Sequence, residues 1–209
     1  MYPSPMKTLP SSMIMCLLVL SVLSCKQSET RKTLLPEGVR LQPGDVVFRR
    51  GSGLTSRMVL WLDGDGRYSH VGIVVDSAGV PMVVHAVPDE PDYQGDVDRV
   101  KMELPEVFFS QNRTSVGAVM RPYDEAAGKK AASEAWKIYR RGVAFDHDYD
   151  ETDTTKMHCT ELVLFAYAKA HYPLVKGKPR TMQFAGRKFT CSLPSSIYGS
   201  EKLKRVLVF

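Results

Sequence analysis

Cysteine is scarce in this sequence: four occur among 209 residues, and Cys16 and Cys25 lie in an N-terminal apolar stretch. Only Cys159 and Cys191 remain for the rest of the chain. Exported domains that depend on disulfides usually carry more cysteines, so a multiply cross-linked scaffold is excluded. Either these two residues form a single bridge, or one of them is a free thiol with a chemical role.

Common metal-binding and nucleic-acid-binding patterns are also absent. The chain has no C-x-x-C or H-x-x-x-H motif, and the neighbouring His158 and Cys159 have poor geometry for ligating one ion. We therefore expect neither a metal nor an organic cofactor. Aromatic residues do not interleave the basic clusters, which argues against a nucleic-acid partner. The net charge of +5 then indicates a mildly basic, solvated surface.

A long apolar run occurs at the N terminus, where Lys7 precedes residues 13–23 and Ser24 follows them. This pattern predicts a bacterial export signal, too short to cross a membrane as a stable helix. Residues 22–25, "VLSC", resemble a lipobox, in which the cysteine receives diacylglycerol; ordinary signal cleavage, with Cys25 as a plain residue, is the alternative. We expect residues 1–25 to be a lipoprotein signal peptide and lipidated Cys25 to anchor the protein to the membrane. Its location would be the bacterial cell envelope, facing the periplasm or exterior.

The rest of the chain is predicted to form a tether followed by one domain. Residues 26–37 are polar and contain a proline near their end, which predicts a tether. Residues 38–209 have the length of a single domain. Strand-like runs such as residues 44–48 are interspersed with helical segments such as residues 124–140, without a βαβ rhythm. This order predicts an α+β domain with a small antiparallel sheet packed against helices.

Two histidines lie on the strands of a predicted hairpin, residues 68–75 and 80–87. If "DSAG" (residues 76–79) is a four-residue loop, His70 lies directly opposite His85, with β-carbons about 4.5–5.5 Å apart. A lone histidine on a half-buried strand is usually structural. Two in register predict a shared site in which one ring is a base and the other fixes its tautomer.

Cys159 begins a segment that is apolar on nearly every side and predicts a buried helix over residues 160–170. A thiol in the first helical turn lies at the positive end of the helix dipole, which favours the thiolate, as does a nearby imidazolium. The alternative is a small hydrophobic residue packed in the core. The position at the start of the helix favours a nucleophile.

Several motifs together resemble the NlpC-type papain-like peptidases. They are "LQPGDVVF" (residues 41–48), "SHVGIVV" (69–75) and "VVHA" (83–86). In that family the cysteine helix precedes these strands, whereas here "HCTELVLFAY" follows them. This order resembles the circularly permuted branch, the YaeF/YiiX-type amidases related to lecithin retinol acyltransferase, as do "GVAFDHDYD" (142–150) and Cys-Thr-Glu-Leu (159–162). The resemblance spans about residues 41–170 and implies a circularly permuted papain-like fold.

The family pattern implies that Cys159 is the nucleophile, His70 the base, and His85 the polar residue that orients the base. Permuted relatives often have Glu at the position of His85, and they usually have Tyr at the position of His158.

Three further residues match family positions. The resemblance implies that Asp45, Tyr68 and Glu161 support the site, with Glu161 binding backbone near it and Tyr68 bordering the oxyanion region.

The resemblance and the export signal imply an exported cysteine hydrolase that cleaves an amide, with cell-wall peptide as the substrate. The thiolate of Cys159 would attack the carbonyl, its backbone N–H would stabilise the oxyanion, and His70 would protonate the leaving group. One alternative is hydrolysis or transfer of a lipid or acyl ester, as the acyltransferase relatives suggest. Another is a non-catalytic envelope-binding lipoprotein, which the intact cysteine and histidines disfavour.

The anchor can be tested in bacterial cells. Cys25→Ala should abolish labelling with radioactive palmitate and release the domain from membranes, because the acceptor thiol is gone. Membrane fractionation of the mutant and the parent measures this. Unchanged membrane association of the mutant would rule out the lipoprotein hypothesis.

Overall fold

The computed structural model describes residues 32–209, except positions 65, 152, 154, 178 and 185. The predicted signal peptide and Cys25 lie outside the described residues. The last part of the predicted tether packs on the domain: the Leu34 N–H donates to the Phe109 carbonyl at 2.9 Å, and Thr33 forms a bridge with Ser110. Ordered contacts therefore begin before residue 38. Within the described ranges, no helix is long and apolar enough to span a membrane.

The described part of the chain forms ten strands and five helices. The strands are β1 (Val46–Arg50), β2 (His70–Ser77), β3 (Val80–Val87), β4 (Arg99–Glu103), β5 (Val116–Pro122), β6 (Ala144–Phe145), β7 (Lys156–Met157), β8 (Arg180–Phe184), β9 (Arg187–Cys191) and β10 (Leu203–Val208). The helices are α1 (Leu54–Asp63), α2 (Pro105–Phe108), α3 (Glu125–Arg140), α4 (Cys159–Lys169) and α5 (Pro194–Tyr198).

Eight strands form one sheet in the order β10-β5-β1-β2-β3-β4-β6-β7, and β8 and β9 form a separate hairpin. Neighbours in the sheet are antiparallel except β6 and β7, which are parallel. The α+β class is confirmed, but the expectation of a small, wholly antiparallel sheet was wrong. Strands β6 and β7 have two residues each, which is too short for any hydrophobic periodicity to reveal them.

The turn between β2 and β3 contains two residues rather than the expected four. Ser77 pairs with Val80, which leaves Ala78 and Gly79 as the turn. Both have positive φ, 55° and 84°, as a type I′ turn requires. The twist of this turn matches the twist of the flanking strands, so it closes the hairpin more tightly than a four-residue loop would.

The shorter turn changes how the two histidines pair. Extending the register from the Ile73–Val84 pair places His85 opposite Gly72, so direct pairing of His70 with His85 was wrong. The pairing differs from the expected one by two residues, and side chains alternate with a period of two, so both rings stay on one face. Gly72 leaves space there: a Cβ at this position would lie 3.2 Å from the His85 Cβ.

The sheet has a core on each face. The main core lies between the sheet and helices α3 and α4, and it includes Phe48, Val71, Ile73, Ala131, Ala135, Leu162 and Ala166. A smaller core on the opposite face contains Val47, Val74, Val83, Phe108, Phe109 and Val119. Strand alternation puts His70 and His85 on the face with the smaller core. Burial of each large apolar side chain stabilises the fold by about 1.5–3 kcal/mol.

The type I′ turn gives a stability test. Ala78→Asn should raise the free energy of unfolding by about 1 kcal/mol, because the left-handed region costs L-residues roughly 1–2 kcal/mol and Asn tolerates it better than Ala. Urea unfolding of both proteins measures the change. Gly79→Ala is the matched control and should destabilise the protein. A lower unfolding midpoint for Ala78→Asn would contradict the assigned turn.

Candidate active site

Cys159 is the first residue of helix α4, and His158 is its N-cap with extended backbone. The Glu161 carboxylate accepts a hydrogen bond from the His158 backbone N–H at 3.4 Å, which fixes the entry into the helix. Leu162 and Ala166 are fully buried and hold the helix against the sheet. The half-buried Cys159 thiol therefore lies at the positive end of a firmly anchored helix.

Cys159 and His70 line the same cavity, whose volume is about 40 Å³. Its walls are mostly apolar and include Val59, Phe145 and Leu193. The fold thus brings together two residues that are far apart in sequence, as the proposed nucleophile and base must be.

A wider cleft of about 210 Å³ adjoins the cavity at His70. Polar side chains line much of it, among them Ser52, Ser56, Asn112 and Arg113. His70 therefore lies between a narrow apolar slot and a broad polar cleft.

The His70 ring is held by a second imidazole. Its Nε2 lies 2.9 Å from Nδ1 of His85, at hydrogen-bond distance, with the two rings edge to face. Phe108 packs against both rings, at centroid distances of 5.7 Å and 5.2 Å. Because Nε2 of His70 is engaged, Nδ1 is the ring nitrogen that remains to accept a proton.

The environment of His70 keeps its ring neutral. Burial lowers its pKa well below 6.5, and the nearby Arg49 guanidinium lowers it further. A neutral imidazole near pH 7 is able to act as a base. It is not the imidazolium that was expected to stabilise the thiolate.

That positive charge belongs to His158, which the sequence did not single out as functional. The ring is 2% exposed. Burial alone would lower its pKa, but contacts with the Cys159 side chain and the Glu151 and Glu161 carboxylates outweigh burial and raise the pKa to about 9. An imidazolium therefore lies beside Cys159 at neutral pH. The only sequence signal was a histidine next to the cysteine, at a position where the family that the sequence resembles usually has tyrosine.

Tyr149 also lines the cavity, and its ring packs on His158 with centroids 5.2 Å apart. Its φ of 54° is in the left-handed region, which costs a bulky residue free energy. Asp146 holds this loop, since its carboxylate accepts from the backbone N–H groups of Asp148 at 2.9 Å and Asp150 at 2.6 Å. The motif over residues 142–150 pointed to this loop without identifying its role.

Two residues expected to support the site lie elsewhere. Asp45 is fully buried and forms a two-point ion pair with Arg121, at 2.7 Å and 2.8 Å, which ties β1 to β5. Tyr68 is in the main core, with its ring 5.5 Å from Phe48 and 4.9 Å from Tyr198. Neither side chain lines the cavity at Cys159: Asp45 makes a buried ion pair, and Tyr68 packs in the core.

Both described cysteines are free, so the alternative of a single Cys159–Cys191 bridge is not the state observed. Cys191 is buried, and burial raises the pKa of its thiol to about 12, with smaller effects from Glu151 and Cys159. It is therefore a poor nucleophile although it contributes to the cavity wall.

No protein-family model matches this sequence, and no curated protein does. Comparison with solved structures finds the crystal structure of the metalloprotein yiiX from Escherichia coli O157:H7, with a TM-score of 0.64 and 18% identity. The match covers 81% of this chain and 98% of that chain. At this level of identity the likeness establishes a YiiX-like fold and nothing finer.

Thiol reactivity tests the electrostatics of the cavity. Near pH 7, iodoacetamide should modify Cys159 at least about ten times faster than Cys191, because Cys191 is buried and protonated. His158→Gln should slow the reaction of Cys159, since it removes the neighbouring positive charge. The pKa of His158 is about 9, so this slowing should be present at pH 7 and disappear above about pH 9.

Peptide mass mapping over time measures both rates, and Cys159→Ser serves as the control that leaves only the Cys191 signal. Equal rates for the two cysteines, or an unchanged rate in His158→Gln, would contradict this assignment of charge.

Proposed function

We propose that this chain is a cysteine hydrolase with a circularly permuted papain-like fold, which cleaves an amide by acyl transfer. One observation carries the proposal: Cys159, at the start of a buried helix, shares a cavity with His70, whose ring is held by His85. A nucleophile, a base and a residue that orients the base are the parts that such catalysis requires.

The reaction begins with proton transfer. Neutral His70 takes the proton of the Cys159 thiol, and the His158 imidazolium stabilises the thiolate that forms. The thiolate attacks the amide carbonyl, and the backbone N–H of Cys159, which has no partner within its helix, stabilises the oxyanion.

The tetrahedral intermediate then collapses. The C–N bond breaks, and His70 returns its proton to the leaving amine, which leaves an acyl group on the sulfur of Cys159. Neutral His70 next takes a proton from water, and the hydroxide attacks the thioester. The free acid departs, and the thiolate is protonated again by His70.

The two cavities suggest how the substrate lies. The leaving amine must be next to His70, which opens onto the polar cleft, so the acyl side lies in the slot at Cys159. A slot of about 40 Å³ holds roughly three water molecules. This size suits a small side chain such as that of alanine and is too small for a long acyl chain. These dimensions favour a peptide amide, and the predicted export signal suggests the cell wall as its source.

Lipid or acyl-ester hydrolysis or transfer is the second candidate. The observation in its favour is the apolar, solvent-exposed Leu54, 83% exposed, at the rim of the cleft. A protein held at the membrane by lipidated Cys25 would be close to lipid substrates. The small slot argues against it, because a lipid chain would have to lie in the polar cleft instead.

A metal does not enter the mechanism. The solved structure with the same fold is described as a metalloprotein. Among the described residues of this chain, no three His, Cys, Asp or Glu side chains are grouped so that they could hold an ion. The donor set therefore does not fit a metal, and we derive no step through one.

A panel of reactive acyl probes of different chain length tests both chemistry and substrate. Probes with alanine-sized acyl groups should add their acyl mass to Cys159, and long-chain probes should not. Cys159→Ala and His70→Ala should abolish turnover of the amide substrates. His85→Ala should retain more activity, because it orients a base without carrying the proton itself, and His85→Glu should retain part.

His171→Asn is a matched control, since His171 is exposed, lies at the end of α4 and lines neither cavity. Full activity in Cys159→Ala would overturn the assignment of the nucleophile. No labelling of Cys159 by any probe, together with no turnover, would overturn the proposal and favour a non-catalytic envelope-binding protein.

A further inference from the structure

Strand β4 brings a carboxylate to the far side of the histidine pair. Glu103, only 9% exposed, has its Oε1 3.2 Å from Nε2 of His85, the ring nitrogen that does not face His70. Its Oε2 accepts a hydrogen bond from Arg113 at 3.1 Å. Neither the family resemblance nor the sequence patterns gave Glu103 a role.

We propose that Glu103 is a positioning residue that fixes the tautomer of His85 and, through His85, the tautomer of His70. The inference rests on the proposed role of His70 as base.

The position of each proton depends on the order of the three groups, His70, His85 and Glu103. A neutral imidazole has one N–H and one free lone pair, and an ionised carboxylate only accepts. An ionised Glu103 at 3.2 Å from Nε2 favours the neutral form of His85 that carries its proton on Nε2, which leaves Nδ1 as an acceptor. His70 then donates from Nε2 to that acceptor, so its own proton is on Nε2 and its Nδ1 has a free lone pair. This is the form of His70 that accepts the proton of Cys159.

Without the carboxylate, the protons on His85 and His70 have a second possible arrangement. If His85 carried its proton on Nδ1, it would donate to Nε2 of His70, and His70 would carry its proton on Nδ1. In this form the remaining nitrogen has no lone pair to accept the proton of Cys159. The 2.9 Å contact between the rings exists in both forms, so the carboxylate is what selects the active one.

The surrounding charges keep Glu103 ionised. Burial alone would raise its pKa, but the contact with His85 and the guanidinium groups of Arg49 and Arg113 outweigh burial and lower the pKa to about 2. Arg49 lies over the Phe108 ring at 4.7 Å, and Arg113 is also paired with Glu90 at 3.1 Å. Between two guanidinium groups, Glu103 remains an acceptor throughout the pH range in which the protein would work.

The register of the sheet makes the contact depend on side-chain length. Glu103 pairs with Val83 and Lys101 pairs with His85, so Glu103 reaches His85 diagonally across the ladder. Aspartate is one methylene shorter and would not span this diagonal. Glutamine has the length of glutamate, but its amide is able to donate as well as accept. Glu103→Gln therefore removes the selection with little change of shape.

Nitrogen NMR of the imidazole rings tests the proposal directly. In the wild-type protein near neutral pH, both His70 and His85 should be protonated on Nε2. In Glu103→Gln, the signals should show a substantial population protonated on Nδ1. Glu106→Gln is the matched control, because Glu106 is an exposed carboxylate on α2, and it should leave the wild-type pattern.

Kinetics give a second readout. Glu103→Gln should lower kcat by at least about tenfold with little change in KM, because the substrate still binds but the base has the wrong tautomer. Glu103→Asp should lower kcat as well, since it fails to reach His85. Circular dichroism and thermal unfolding establish that each variant is folded. If Glu103→Gln does not fold, the wild-type spectrum alone decides, because protonation of His85 on Nδ1 would overturn the proposal.

The two hypotheses fail in different ways. If the rings show the expected tautomers but no amide is hydrolysed, the tautomer assignment holds and the proposed function fails. If the wild-type enzyme turns over substrate and Glu103→Gln matches it in both tautomer and kcat, Glu103 has no positioning role.

Discussion

The contact between His70 and His85 is the interaction on which the candidate site depends. Their ring nitrogens are 2.9 Å apart on the face of the sheet with the smaller core, and Phe108 packs against both rings. The contact requires a diagonal pairing of β2 and β3, which the two-residue turn sets. It also requires Gly72, because a side chain there would crowd His85. Turn chemistry and one glycine thus determine where the base lies.

Cys159, the proposed nucleophile, reaches the same cavity by a separate route. Helix α4 packs through buried residues such as Leu162 and Ala166 against the main core, and this packing fixes the direction of the helix axis. The N-cap His158 and the contact from Glu161 then fix its first turn. Because the site joins two rigid elements, and not flexible loops, its geometry is set by core packing. A substitution deep in α4 would therefore displace the thiol as well as destabilise the fold.

The sequence predicted the outline of this site better than its electrostatics. The helix at Cys159 and the common face of the two histidines followed from local patterns. The prediction of a common face remained correct although the predicted loop length was wrong, because the register differed by an even number of residues. Glu103 was missed for a physical reason. The run "RVKME" (residues 99–103) alternates apolar and polar residues as a strand with one solvated face would, yet Lys101 and Glu103 are buried. The partners of Glu103 are on β3 and in the loop near Arg113, and those of Lys101 are in the loop after β3. No local pattern could place them.

The charge of His158 was missed for the same reason, since it depends on Glu151 and Glu161 as well as on its neighbour Cys159. The result is a site in which the pKa values of two imidazoles, His70 and His158, are shifted in opposite directions. Burial and Arg49 keep His70 neutral, whereas surrounding negative groups keep His158 charged. A single imidazole would have to be both a proton acceptor and the positive charge that stabilises the thiolate. Two imidazoles with separated pKa values divide these tasks, so the base remains able to accept a proton while the sulfur already faces a positive charge.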